Sequence, residues 1–99
     1  MILINGGAVA IDPVVPAAPA IVEAFYPSVR GGEALTMMAF GETPLLFGKL
    51  PITMYDKQYI EQVDFHDFSM SKAPGRTYKY YTGTPLFAFG TGLTYAKHN

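Results

Sequence analysis

The strongest constraint on the fold comes from a turn-rich, aromatic stretch at positions 74–95. It begins with Pro74 and Gly75, a pair typical of a tight turn, and continues in a run of threonines and tyrosines whose composition favours a half-buried strand. Gly83 interrupts that run, and residues 86–89 form a second, apolar segment that is followed by two further glycines. The pattern predicts a strand, a tight connection and a second strand that ends in a glycine bend.

Two short apolar runs earlier in the chain predict strands of a buried parallel sheet. Residues 2–4 form a continuous apolar run that stops at an asparagine and two glycines, and residues 20–26 form a run that stops at Pro27. A continuous apolar run such as residues 2–4 is typical of a buried parallel strand. At residues 20–26 periodicity alone does not exclude a short helix, and the strand prediction rests on a β-branched pair, an aromatic pair and the proline that ends the run. Between the two runs, three prolines within residues 12–19 predict an extended surface loop without a regular helix.

A short helix is predicted after the second strand. We expect Gly32 at its N-cap, Glu33 in its first turn, where it complements the helix dipole, and Gly41 just beyond its end. Residues 34–40 are apolar on nearly every side, so the helix is expected to be buried. The strand and the helix together form one βα unit of an open sheet, and the fold class is α/β.

The remaining segments are less patterned. Residues 51–55 predict a short strand, and residues 56–75 predict an irregular connection. Residues 44–47 place three consecutive large apolar side chains in a loop, and we expect them to need cover from another segment.

Length and composition indicate a piece of a larger domain. The chain has 99 residues, of which 49% are apolar and only 15% charged. A chain of this size buries only about 60–65% of its unfolded surface. A sequence this apolar, with so few charged residues, is more typical of part of a larger domain than of a domain that folds by itself.

Charge and cysteine content exclude several partners. The net charge is −1 and there is no run of lysine or arginine, whereas nucleic acids and anionic membranes both require a basic footprint. No apolar run approaches the roughly 20 residues that span a bilayer. The chain has no cysteine, so disulfides and thiolate metal sites are excluded.

Side chains able to do chemistry are sparse. His66 lies near Asp64 and Asp67, but one histidine with two carboxylates is a poor ligand set for a specific metal, so a structural role is the favoured interpretation. The aromatic residues of the 74–95 stretch fit either a sugar-stacking platform or packing between strands, and packing is favoured. We therefore predict no metal and no cofactor.

Several short motifs occur in a consistent order along the chain. They are G-G-A-V-A-I-D at 6–12, Y-P-S-V-R-G-G-E-A-L at 26–35, F-G-E-T-P-L-L-F-G-K-L-P-I-T at 40–53, P-G-R-T-Y-K-Y-Y at 74–81 and F-A-F-G-T-G-L-T-Y at 87–95. Together they resemble the second domain of glycoside hydrolase family 3, and D-F-H-D-F-S-M at 64–70 resembles its β-xylosidase-like branch. Ser28 and Val29 depart from the glycine and glutamine that are usual in the family.

The resemblance implies that residues 1–99 form a single partial domain, the C-terminal half of an (α/β)6 sandwich, with a C-terminal strand-rich segment. It implies exo-acting hydrolysis of β-linked sugars, above all β-xylosides, by a secreted enzyme. In the family the nucleophile lies on a TIM-like barrel and the acid/base on a preceding loop. The resemblance therefore assigns no catalytic residue here, and it implies a barrel partner in cis or in trans and an oligosaccharide substrate. A non-catalytic carbohydrate-binding or structural module derived from such an enzyme is the alternative.

One loop is a candidate for contact with substrate. It follows the second predicted strand, and open α/β sheets place ligands at the carboxyl ends of their strands. The residues expected to line a cleft there are Tyr26, Ser28, Arg30 and Glu33.

Overall fold

The computed structural model describes residues 1–42 and 48–94. Its elements are strand β1 (Ile2–Leu3), a 3-10 turn (Val15–Ala17), strand β2 (Val22–Glu23) and helices α1 (Gly31–Phe40), α2 (Tyr59–Gln62) and α3 (Thr77–Tyr80). The result is a small mixed α/β arrangement with an open sheet. The apolar residues predicted to need cover at 44–47 lie outside the described residues.

The two strands form a parallel pair. Ile2 lies opposite Val22 and Leu3 opposite Glu23. The backbone N–H of Val22 donates to the carbonyl of Met1 (2.9 Å), and that of Ala24 donates to the carbonyl of Leu3 (2.9 Å). Both strands are shorter than the apolar runs that predicted them. Between them, the proline loop was expected to be extended, but this is wrong at Val15–Ala17, where Pro16 lies within a 3-10 turn.

Helix α1 forms where the sequence predicts it, with two corrections. It begins at Gly31, with Arg30 rather than Gly32 at the N-cap. It ends as expected, because Gly41 adopts the left-handed conformation (φ 69°) and its N–H bonds to carbonyls of the last turn. The prediction of a buried helix is wrong for this chain, since Gly31 is its only buried residue and Phe40 is 77% exposed.

The strand-rich C-terminal segment is also a wrong prediction. Residues Thr77–Tyr80 form the one-turn helix α3 instead of a strand. The segments at 51–55 and 86–89 meet in a single antiparallel bridge, in which the N–H groups of Met54 and Phe87 each donate to the other's carbonyl (2.9 and 3.1 Å). Further on, the N–H of Leu50 donates to the carbonyl of Thr91 (2.8 Å). The two segments are therefore joined, but without an extended strand.

The core of the described residues is small. Among the apolar side chains of residues 1–42 and 48–94, only Ile11 and Met54 are buried. The chain exposes 7517 Å², whereas a compact monomer of 10.8 kDa exposes about 5,500 Å². The difference of roughly 2,000 Å² is comparable to what one partner contributes to an obligate interface.

Candidate functional site

The carboxyl ends of β1 and β2 bring together segments that are about twenty residues apart in sequence. Because the strands are parallel and in register, the residues that follow each strand meet at one edge of the sheet. Asn5 and Gly6 follow β1, and Phe25 and Tyr26 follow β2. This edge is the part of the structure where the sequence analysis expects a substrate cleft.

Glu23 holds this edge together. One carboxylate oxygen accepts a hydrogen bond from Asn5 Nδ2 (2.9 Å), and the other accepts the backbone N–H of Phe25 (2.8 Å). Phe25 has a left-handed backbone (φ 51°), a conformation that is costly for an aromatic residue and that the Glu23 hydrogen bond helps to hold. Since both oxygens of Glu23 are engaged in holding backbone and amide groups, its role here is structural.

The Tyr26 ring lies directly against Gly6. A Cβ atom added to Gly6 would lie 2.0 Å from Tyr26 Cε2 and 2.6 Å from its hydroxyl oxygen. The ring is otherwise 78% exposed. The absence of a side chain at Gly6 therefore leaves the space that the Tyr26 ring occupies beside the sheet edge.

We expect Gly6→Ala to displace the Tyr26 ring and to destabilise the sheet edge by less than about 1 kcal/mol, because the overlapped atoms belong to the end of a side chain that is 78% exposed and free to move. Urea unfolding of the full chain measures this loss. The matched variant Tyr26→Ala removes the ring, so Gly6→Ala in that background is expected to cost much less. Equal costs in both backgrounds would contradict the contact.

The other predicted cleft residues lie at the start of α1. The carbonyl of Ser28 accepts the N–H of Gly31 (2.8 Å), which closes the turn into the helix. Arg30 and Glu33 form a two-pronged ion pair, with Nε to Oε2 at 2.7 Å and Nη2 to Oε1 at 2.9 Å. Their side chains are 83% and 53% exposed, so the pair contributes little stability. The structure thus brings Arg30 and Glu33 together, and no hydrogen bond between described residues joins either of them to Tyr26 or to the Ser28 side chain.

Sequence reasoning missed Asn5, Gly6 and Glu23 as parts of this edge. A signal was present, because Glu23 is the one charged residue in the apolar run at 20–26. A carboxylate in a strand of a parallel sheet needs a partner. Only the strand register identifies that partner as Asn5.

A second ordered region is formed by the P-G-R-T-Y motif. Gly75 has φ 86° and its carbonyl accepts the Tyr59 hydroxyl (2.9 Å). The carbonyl of Pro74 accepts both the N–H (2.9 Å) and the hydroxyl (3.1 Å) of Thr82. Arg76 Nη2 donates to the carbonyls of Asp64 (3.1 Å) and Asp67 (2.7 Å). The motif is therefore a hydrogen-bonded turn that fixes the preceding loop.

Three tyrosines form a cluster beside this hydrogen-bonded turn. Tyr55 and Tyr59 stack with ring centroids 3.8 Å apart, and Tyr81 meets them edge-on at 5.0 and 5.3 Å. Burial, and then the neighbouring Tyr55, raise the pKa of Tyr59; burial also raises the pKa of Tyr81. The Tyr59 hydroxyl therefore remains protonated and donates to the carbonyl of Gly75.

Tyr78 and Phe89 differ from the prediction of packing between strands. The rings of Tyr78 and Phe89 stack at 4.4 Å, but they are 67% and 45% exposed. Tyr95 lies outside the described residues.

His66 is not part of a metal site in the described portion of the chain. Its Nδ1 lies 3.5 Å from Asp64 Oδ1, with both side chains largely exposed. Among residues 1–42 and 48–94, no group of three or more histidine, aspartate or glutamate side chains has metal-binding geometry. His98 lies outside the described residues.

Asp67 forms the shortest ion pair of the described structure, with Lys72 at 2.6 Å. The hydrogen bond from Lys72, followed by that from the Ser69 N–H, lowers the pKa of Asp67. A lowered carboxyl pKa contributes stability above the unfolded value of about 3.9, which is lost as the pH falls through the folded value.

We expect the loop around Asp67 to loosen in acid, below about pH 4. Hydrogen exchange of the Ser69 amide as a function of pH, corrected for its intrinsic rate, measures this change. Asp67→Asn is expected to remove the acid-dependent part. An identical pH profile for the two proteins would contradict the prediction.

The family model described as glycosyl hydrolase family 3 C-terminal domain matches residues 1–95. The chain therefore belongs to glycoside hydrolase family 3, through its C-terminal domain. It is 41% identical over 92 residues (92% of this chain) to xylan 1,4-beta-xylosidase of Xylanibacter ruminicola. It is also 40% identical, over 81% of this chain, to beta-D-xylosidase 1 of Arabidopsis thaliana and to a probable exo-1,4-beta-xylosidase of Aspergillus fumigatus.

The matched regions are small parts of these relatives. The chain spans 10% of the Xylanibacter and Aspergillus proteins and 11% of the Arabidopsis protein. The predicted resemblance to the family and to its β-xylosidase-like branch is confirmed.

No helix among residues 1–42 and 48–94 combines the length and the apolar character that crossing a membrane requires.

Proposed function

We propose that this chain is a non-catalytic part of an exo-acting, retaining glycoside hydrolase that removes β-linked xylose units. The observation that carries the proposal is the 41% identity, across 92% of the chain, with a protein named as a xylan 1,4-beta-xylosidase. The catalytic carboxylates are supplied by other parts of the enzyme, including a TIM-like barrel in cis or in trans. The chain completes the second domain and forms one wall of the substrate cleft.

The use of the carboxylates supports a non-catalytic role. Retaining hydrolysis needs two carboxyl groups about 5–5.5 Å apart that are available to the sugar. In this chain, six of the eight carboxylates already accept a hydrogen bond or an ion pair from the protein. They are Asp12, Glu23, Glu33, Asp56, Asp64 and Asp67. Most of them cap turns or hold neighbouring segments, which is structural work.

The exposed surface supports a partner. The chain exposes roughly 2,000 Å² more than a compact monomer of its mass, and helix α1 is apolar but uncovered. Such a helix is stable when a neighbouring element packs on it. The remainder of a glycosidase supplies that element.

The proposal is tested with a chimera. Residues 1–95 of this chain replace the matching segment of the Xylanibacter xylosidase, and hydrolysis of nitrophenyl β-xyloside is measured. We expect a folded, active enzyme. A folded chimera that is inactive on the xyloside would contradict the proposal. Affinity of the separate, monomeric chain for xylo-oligosaccharides would instead favour the binding-module alternative.

The same chimera tests the cleft residues Tyr26, Ser28, Arg30 and Glu33. We expect Arg30→Gln to raise KM for a xylo-oligosaccharide by about tenfold, the loss of one charge-assisted hydrogen bond, with kcat little changed. Glu42→Gln, which changes a charge beyond the end of α1 and outside this loop, is the matched control and is expected to leave KM unchanged. Unchanged kinetics in Arg30→Gln would remove this loop from the cleft.

A further inference from the structure

The loop at residues 64–70 holds two aromatic rings out in solvent. Phe65 is 88% exposed and Phe68 is 91% exposed. Covering a phenylalanine is one of the larger single gains available to a protein surface. Two such rings within four positions of one loop are therefore costly unless something covers them.

The loop is fixed rather than free. Arg76 Nη2 donates to the carbonyls of Asp64, at the start of the loop, and Asp67, in its middle. The Asp64 carboxylate accepts the N–H of His66 (2.9 Å), and the Asp67 carboxylate accepts the N–H of Ser69 (2.8 Å). The backbone N–H of Arg76 also donates to the carbonyl of Met70 (2.9 Å). A loop ordered in advance loses little entropy when its side chains bind.

The exposure of the rings favours a protein over a sugar. Small-molecule sites are concave and cover most of their ligand, so an aromatic ring that lines one is itself partly covered. The groove beside the loop is lined by Asp64, Asp67, Lys72 and Arg76, among others, and by neither phenylalanine. The rings instead resemble the projecting aromatic anchors of protein interfaces, which insert into pockets of the partner.

We propose that residues 64–70 form a docking arm. Phe65 and Phe68 insert into apolar pockets on the polypeptide that supplies the rest of the glycosidase, and Arg76 is the positioning residue that sets the angle of the arm. The identity of the partner rests on the proposed function. The chain exposes roughly 2,000 Å² more accessible surface than a compact monomer of its mass. That excess is large enough for an obligate contact, of which this arm is one part.

The test measures binding between purified proteins. The full chain is titrated calorimetrically into the Xylanibacter xylosidase from which its own matching segment has been deleted. We expect the chain to bind and Phe65→Ala and Phe68→Ala each to weaken binding by about 30-fold, as for interface hot spots. Ile60→Ala, which removes an apolar side chain that is 78% exposed but lies outside the loop, is the matched control and is expected to bind as the unmodified chain does.

Arg76 has its own readout. Arg76→Gln is expected to weaken binding at least tenfold, and to raise hydrogen exchange within residues 64–70 while the Tyr55–Tyr59–Tyr81 cluster keeps its near-ultraviolet circular dichroism. Arg76→Lys keeps a donor and is expected to recover part of the affinity. Loss of the near-ultraviolet signal in Arg76→Gln would overturn the role of Arg76 as a positioning residue, because the substitution would then disturb the whole tyrosine cluster. The docking arm itself is then judged by the binding of the Phe65→Ala and Phe68→Ala variants.

The outcomes separate the two proposals. Binding by the full chain that both phenylalanine variants retain would overturn the docking arm and leave the proposed function standing. Absence of binding by the unmodified chain would overturn the partner arrangement and the arm with it. Binding of xylo-oligosaccharides that is lost in the phenylalanine variants would overturn the arm in favour of a sugar site.

Discussion

Gly75→Ala is expected to unfold the C-terminal half of the chain. Gly75 has φ 86°, which an L-residue rarely adopts, and a Cβ atom there would lie 2.0 Å from the carbonyl oxygen of Tyr80 and 2.5 Å from its carbon. Both obstacles are backbone atoms, so no side-chain rotation relieves them. The cost is expected to exceed about 3 kcal/mol, a large part of the total stability of a small domain.

Thermal unfolding followed by circular dichroism measures this effect on the full chain. Gly32→Ala is the matched control, because its Cβ meets nothing within 4 Å and its position is helical. That variant is expected to gain up to about 1 kcal/mol from helix propensity. A Gly75→Ala protein as stable as the parent would contradict the backbone geometry described for the turn at Gly75.

Met54→Ala is expected to cost about 2–5 kcal/mol, because a buried methionine leaves a cavity that its neighbours fill only in part. Met54 is 2% exposed, the most deeply buried large side chain of the described structure, and its backbone forms the bridge to Phe87. Its loss therefore weakens both the core and the junction of the two C-terminal segments. Urea unfolding of the full chain measures the cost.

Met70 provides the comparison, since it is 43% exposed. Met70→Ala is expected to change stability by less than about 1 kcal/mol. Similar costs for the two substitutions would show that Met54 is not the centre of the core.

The parallel strands and helix α1 could be predicted because their signals are local. Each strand is a short apolar run ended by a breaker, and α1 ends at Gly41, which adopts the left-handed conformation that a helix end favours. Helix α3 could not be predicted in the same way. Its residues, threonine and tyrosine, favour strands, but strand propensity depends on neighbours. Here a Gly75 turn and the tyrosine cluster impose one helical turn instead.

The exposure of α1 shows a different limit. Its apolar composition predicts a buried helix, but composition does not say which element would cover it. In this chain Phe40 remains 77% exposed. The prediction of burial is wrong because no other element packs on α1 within the part of the chain that the structure describes.

The candidate site was anticipated only by position. The rule that ligands gather at strand carboxyl ends led to the loop of Tyr26 and Arg30. It did not reveal that Glu23 and Asn5 hold that edge together or that Gly6 supports the Tyr26 ring. Those contacts depend on the register of the two strands, which is a property of the folded sheet.

The most direct test of this account is the hydrolysis of nitrophenyl β-xyloside. It is measured for the full chain alone and after the chain is mixed with the Xylanibacter xylosidase from which the matching segment has been deleted. We predict no turnover by either protein alone and hydrolysis after mixing. Turnover by the 99-residue chain alone would contradict the claim that its carboxylates are structural. A mixture that binds but stays inactive would contradict its place in the enzyme.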